Sequence, residues 1–225
     1  MELDLHTHSC YSVDAISKPE DMLKFARKKN LGFAITDHDN CLAWADLKKL
    51  NQKYKVPVIY GEECKLWHNI ESKDVMIGEL LFLFLQTPIK SKLLFEAIDE
   101  AKSQGALIIP PHSFDLLRKP FGQGFMLLEE SKKYFDAFEV FNSHTFFNRF
   151  NKKAKLFAEK NSLPMVCGSD AHSPAEIGNS YVEINADSLE GARTEILKNK
   201  SKLFCRRAPL YVHLITWLAR KNMLK

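Results

Sequence analysis

Three hydrophobic runs in this chain each end in a cluster of metal-type ligands, and that placement restricts the folds open to it. The runs are Glu2-Leu3-Asp4-Leu5-His6-Thr7-His8, Ala34-Ile35-Thr36-Asp37-His38-Asp39 and Met165-Val166-Cys167-Gly168-Ser169-Asp170-Ala171-His172. Alternate residues of a strand point the same way, so His6 and His8 can serve one ion from one face. The other two clusters repeat the pattern with carboxylate and imidazole. A lone His beside an apolar strand is more often a hydrogen-bonded core residue than a ligand; three such clusters point to a metal enzyme.

Between the clusters, short apolar runs alternate with amphipathic stretches, the pattern of βα units around a buried parallel sheet. Strands are expected over 3–6, 33–36, 56–60, 80–85, 106–109, 137–141 and 165–167, and helices over 18–29, 42–53, 90–103, 126–134, 147–161 and 189–199. Ser17 fits an N-cap of the first helix, with Pro19 in its first turn and Glu20 at capping-box spacing. His6, His8, Asp37, His38, Glu63, His112, His144, Asp170 and His172 all fall at or just past the carboxyl end of an expected strand. In a parallel α/β barrel those ends converge on the face that carries the chemistry. Six of the eight His would share that rim, leaving His68 and His213 off it.

With 225 residues, no Pro/Gly/Ser-rich stretch and no internal repeat, the chain reads as a single domain over 1–225, its tail from residue 209 onward packing on the barrel. A content of 45% hydrophobic and 27% charged residues excludes a disordered chain. The five Cys are odd in number and scattered, and Met1 leads directly into a strand pattern, so a cytoplasmic location is expected. No apolar run approaches the ~20 residues that span a bilayer, so no membrane partner is expected. The net charge of +4 omits the cations a filled site would add. Anionic substrates suit such a site; nucleic acid is permitted and not indicated. The oligomeric state is not legible.

The motifs His6-Thr7-His8, Thr36-Asp37-His38-Asp39, Gly61-Glu62-Glu63, Pro111-His112 and Gly168-Ser169-Asp170-Ala171-His172 together resemble the polymerase and histidinol phosphatase (PHP) superfamily of metal-dependent phosphoesterases. They run in that family's order over nearly the whole chain. The resemblance implies a distorted seven-stranded (β/α)7 TIM-like barrel holding two or three divalent transition-metal ions, zinc, manganese or iron. It implies that His6, His8, Glu63 and Asp170 hold the first ion. His38 and His172 would hold the second with Asp14, unless Asp14 is only a turn residue. Glu63 would bridge the first and third ions, and His112 would serve the third.

The third site is where the chain departs from the family. Many relatives place a His where this sequence has Glu79. Glutamate ligates Zn²⁺ or Mn²⁺ through oxygen, and two readings stay open: Glu79 is a ligand, or it is a solvated residue ahead of its strand. His144 could supply the missing imidazole or protonate a leaving group. Asp37 would orient a water or cap its strand end. Arg118, with Lys119, would bind a substrate phosphate through its fork or be a surface charge. Phe114, Phe121 and Phe125 would stack on a base or join the core. Cys64 and Cys167 read as buried hydrophobes, Lys152, Lys153 and Lys155 as a solvated helix face, and His213 as structural.

The implied activity is hydrolysis of a small phosphomonoester, such as a nucleotide or nucleoside 3′,5′-bisphosphate, by metal-activated water. No Ser-His-Asp arrangement or phosphate-cradling glycine loop offers a competing route. The alternatives are a 5′–3′ exonuclease acting on short RNA or DNA, and a non-catalytic metal-binding module.

Overall fold

The computed structural model describes residues 1–70, 73–117, 124–221 and 223. The strands are β1 (Glu2–Thr7), β2 (Gly32–Ile35), β3 (Val58–Ile70), β4 (Lys73–Leu83), β5 (Leu107–Ile109), β6 (Phe138–Asn142), β7 (Met165–Gly168), β8 (Tyr181–Glu183) and β9 (Lys202–Phe204). The helices are α1 (Pro19–Lys28), α2 (Ala43–Tyr54), α3 (Leu94–Ser103), α4 (Gly124–Ser131), α5 (Asn148–Lys160), α6 (Leu189–Leu197) and α7 (Tyr211–Arg220). One sheet runs β5-β4-β3-β2-β1-β8-β9, and β6 pairs with β7.

Backbone hydrogen bonds join the two sheets into a distorted barrel. At one seam His8 N donates to Ala171 O and Asp170 N to His6 O, both at 2.8 Å; at the other, Asp136 N donates to Ile108 O at 3.0 Å. β1 is therefore forked: its start pairs with β8 through Glu2 and Leu3, and its end meets the chain just after β7. Gly168 permits this approach, because a Cβ there would lie 2.5 Å from His6 Cβ.

The expected all-parallel order fails at β4 and again at β8, which runs antiparallel to β1 and β9. β4 runs antiparallel to both β3 and β5. Parallel neighbours need a crossover of a dozen or more residues, and only residues 71 and 72 separate β3 from β4, so the chain must return as a hairpin. Alternation along that hairpin sorts its side chains. Leu81 and Leu83 join the cluster around Leu3, Leu5, Ile59 and Ile109, while Leu80 and Phe82 pack with Phe33, Leu47 and Ile98 beneath the helices. Glu63 lies opposite Leu81 and Lys65 opposite Glu79, so Glu63 and Glu79 share the Leu81 face.

The N-cap expected of Ser17 also fails. Helix α1 is capped at Lys18 without a side-chain bond, and Ser17 Oγ is buried without a hydrogen-bond partner. Pro19 at the start of the helix already removes one N–H that would need capping. A capping box forms instead at Ser173 and Glu176. Among the described residues no helix is long and apolar enough to cross a membrane.

Candidate metal centre

At the rim, four side chains from three separate strands turn their ligand atoms toward one point. His6 Nε2 lies 3.1 Å from His8 Nε2, 3.2 Å from Glu63 Oε2 and 3.4 Å from Asp170 Oδ1. His8 Nε2 lies 3.3 Å from Glu63 Oε2 and 3.1 Å from Asp170 Oδ1. All four residues are buried. A tetrahedral ion with bonds of 2.0–2.1 Å has ligand–ligand edges of about 3.3–3.4 Å. Five of the six edges here lie between 3.1 and 3.4 Å. The set fits one divalent cation.

Two further groups adjoin the first. His38 Nε2 and His172 Nε2 stand 3.6 and 3.4 Å from Asp14 Oδ1, which is buried and makes no hydrogen bond. On the other side, Glu63 Oε1 lies 2.9 Å from His112 Nε2, and Glu79 is 3.8 Å from His112 and 3.9 Å from His38. Glu63 thus presents one oxygen to the His6 group and the other to the His112 group. Glu79 reaches the rim from within the β3–β4 ladder, opposite Lys65, where that hairpin runs on past the paired ends of β2 and β5.

The two candidates for the third group have different neighbours. Glu79 adjoins His112 and His38, whereas His144 has Thr216 Oγ1 3.3 Å and Glu176 Oε2 3.7 Å from its Nε2 and its ring centroid 4.9 Å from that of His172. Asp37 Oδ1 and Oδ2 accept from Ser9 N, Ser9 Oγ and Ser12 Oγ at 2.6–2.7 Å, which ties the loop after β1 to the end of β2. Glu62 faces the outer side, where Ile89 N and Lys92 bind it. Arg118, Lys119 and Phe121 lie outside the described residues, as does the Phe125 side chain; Phe114 packs its ring against Phe138 and Phe157.

Several supporting residues escaped the sequence reading. Glu139 Oε1 accepts from His6 Nδ1 at 2.9 Å, while Oε2 takes His112 N at 2.7 Å and Asn142 Nδ2 at 3.0 Å. A carboxylate only accepts, so His6 carries its proton on Nδ1 and, when neutral, turns the Nε2 lone pair to the cluster. Asn142 Nδ2 also reaches Asp170 Oδ2 at 3.2 Å, and His172 Nδ1 bonds Asp170 O at 2.7 Å. The available signal was Glu139 itself, a charge inside an otherwise apolar strand, which must be paired when buried. Glu139→Gln would set an amide N–H against one of three donors. Metal affinity of the first group, measured by competition with a chromogenic chelator, is expected to fall about 10–100-fold.

Without cations the cluster holds protons. Burial alone would lower the His6 pKa, but Asp170, Glu63 and Glu139 outweigh it and hold the group well above the ordinary imidazole value. His8, similarly desolvated but bonded to Asp170 and Glu63, is pushed up to about 10. Glu63, desolvated yet surrounded by His6, His38 and His112, is held well below the usual carboxylate range. Cation binding near neutral pH must therefore expel protons, so affinity weakens as pH falls.

Fold and rim together define an α/β barrel whose strand ends gather imidazoles and carboxylates into adjoining cation-sized groups. Comparison with known sequences and structures narrows the class. A family described as PHP-associated matches residues 148–200. The uncharacterized protein MJ0417 of Methanocaldococcus jannaschii is 39% identical over 193 residues, 84% of this chain and 73% of that protein. A two-domain protein of Bacteroides vulgatus containing a predicted PHP-like metal-dependent phosphoesterase superposes over 92% of this chain, with TM-score 0.72 and 20% identity; the chain spans 65% of that protein. An amidohydrolase of Chromobacterium violaceum, solved with bound sulfate and no metal, superposes over 97% of this chain and 96% of its own, with TM-score 0.61 and 15% identity. The chain belongs to the PHP superfamily.

Proposed function

We propose that this protein is a metal-dependent phosphoesterase that hydrolyses a small phosphomonoester, with a nucleotide or nucleoside bisphosphate as the substrate type. The observation that carries the reading is the four-atom group of His6, His8, Glu63 and Asp170, whose edges match those of a coordinated divalent ion. His38, His172 and Asp14 would hold a second ion, and Glu63, Glu79 and His112 a third. Bound divalent ions supply water activation near neutral pH and neutralise charge on the phosphoryl oxygens.

The protein's own side chains set the remaining steps. Glu139 and Asn142 keep His6 and Asp170 aimed at the cluster. An open cleft of ≈ 310 Å³ beside His172, lined by His144, Phe146, His213, Trp217 and Arg220 among others, offers cationic and aromatic groups to an anionic ester. His144 sits in that cleft next to the second group, and its Nε2 is the atom assigned to protonate the leaving oxygen. His213, with its ring 4.5 Å from that of His144, belongs to this wall.

The test is phosphate release from a nucleoside monophosphate, a nucleoside 3′,5′-bisphosphate, histidinol phosphate and a 5′-phosphorylated oligonucleotide, with Mn²⁺ or Zn²⁺ supplied and then chelated. Turnover of a small monoester that chelation stops is expected. His172→Ala should remove more than nine-tenths of it, a barrier increase above about 1.4 kcal/mol. Turnover confined to the oligonucleotide would assign an exonuclease, and failure on all four substrates would remove the phosphoesterase reading.

A further inference from the structure

The C-terminal helix α7 follows the last strand, β9, and lies outside the PHP-associated match, yet it reaches the rim. Val212, Thr216 and Ala219 are buried along one face at helical spacing. Its approach is pinned by Ala208 N donating to Ser143 O at 2.9 Å and Arg206 N to Ser180 Oγ at 3.0 Å. Thr216 meets His144, and one turn further on Arg220 Nε and Nη2 both donate to Asp14 Oδ2, at 3.1 and 2.8 Å. The pairing spans 206 residues of sequence.

That grip is asymmetric. Both N–H groups take the same oxygen, which leaves Asp14 Oδ1, buried and without a hydrogen bond, as the atom facing His38 and His172. We infer that Arg220 is a positioning residue for the second cation: α7 docks through Arg220 onto Asp14 and thereby fixes Oδ1 as a one-oxygen ligand. This rests on the metal-centre reading above and adds that helix docking and occupation of the second position are linked. Binding linkage is reciprocal, so if a docked α7 strengthens cation binding, the cation must strengthen docking by the same factor.

Two effects of Arg220 on a cation oppose each other. Its positive charge repels the ion, whereas its hydrogen bonds orient the ligand. The Arg220 side chain is 61% exposed and that of Asp14 only 2%, so water screens the repulsion while orientation acts on a buried group. Orientation dominates. Comparable outer partners of metal ligands are worth about 10–100-fold in affinity.

The experiment uses the full chain, wild type against Arg220→Ala and Arg220→Lys, titrated with Mn²⁺ by calorimetry. Hydrogen exchange of residues 211–220 is followed with and without the ion. The weaker Mn²⁺ step should weaken about 10–100-fold in Arg220→Ala, with Arg220→Lys, which keeps the charge and loses the fork, in between. Mn²⁺ should slow exchange across 211–220 in wild type and much less in Arg220→Ala. Unchanged affinity in Arg220→Ala, tighter binding there, or exchange in wild type that ignores Mn²⁺ would each overturn the linkage while leaving the metal centre intact. A wild-type chain that binds no Mn²⁺ would overturn the metal centre and this inference together.

Discussion

Glu63→Ala is expected to empty two cation positions at once and to lower turnover at least about 1000-fold, ~4 kcal/mol in the barrier. The reason is geometric. Oε2 stands 3.2 and 3.3 Å from the Nε2 atoms of His6 and His8, and Oε1 stands 2.9 Å from that of His112. No other described carboxylate faces both groups at such distances. Removing it also leaves buried imidazoles without their shared counter-charge, and breaking a buried pair on one side costs about 3–5 kcal/mol. The cation-free variant should therefore melt well below wild type. Elemental analysis after dialysis, with a phosphatase assay beside it, reads both effects. A variant that keeps every bound ion and more than a tenth of the rate would show that Glu63 is not shared.

The second large effect is expected from Gly168→Ala. The added methyl would sit 2.5 Å from His6 Cβ, 3.1 Å from His6 N and 3.1 Å from Glu139 Oε1, all on a seam where neither backbone can retreat without breaking β1–β7 contacts. Overpacking of this kind costs about 1–3 kcal/mol, and the backbone contact places this site at the upper end. For a chain of this length ~3 kcal/mol corresponds to a fall in Tm of roughly 6–12 °C. The same methyl pushes on the His6–Glu139 pair, so affinity for the first cation should drop with stability. Scanning calorimetry in chelator, followed by metal titration, separates the two. A Tm unchanged within error would mean the seam relaxes freely.

Sequence pattern carried far in this protein because its rim residues sit where strands stop. His6, His38, His112 and Asp170 each follow an apolar run, so their convergence could be inferred from the barrel alone. Glu63 stood apart from Glu62 as the third residue of the Gly61-Glu62-Glu63 motif that carries the family resemblance, and the structure turns the two to opposite faces. What stayed hidden depends on distance in sequence. Glu139 meets His6 across 133 residues, and Arg220 meets Asp14 across 206, contacts that no local periodicity encodes. The reversal of β4 was missed because an apolar run carries no direction; only the short connection from β3 discloses it. The tail's apolar character predicts packing on the barrel without revealing which rim it packs against.

The reversed strand has a consequence for how such a centre can vary. Glu79 stands on a ladder whose hydrogen bonds are made by backbone, so its side chain can change without altering strand register or loop length. Apart from Glu63, which shares this ladder, the other rim ligands sit at or just past strand ends, where a change of residue also changes how the chain leaves the barrel; His112 and Asp170 even adopt positive φ, at 30° and 55°. Position 79 is thus a tuning point: exchanging carboxylate for imidazole there would alter the charge and hardness of one cation's surroundings while the scaffold that holds the other ligands stays as it is.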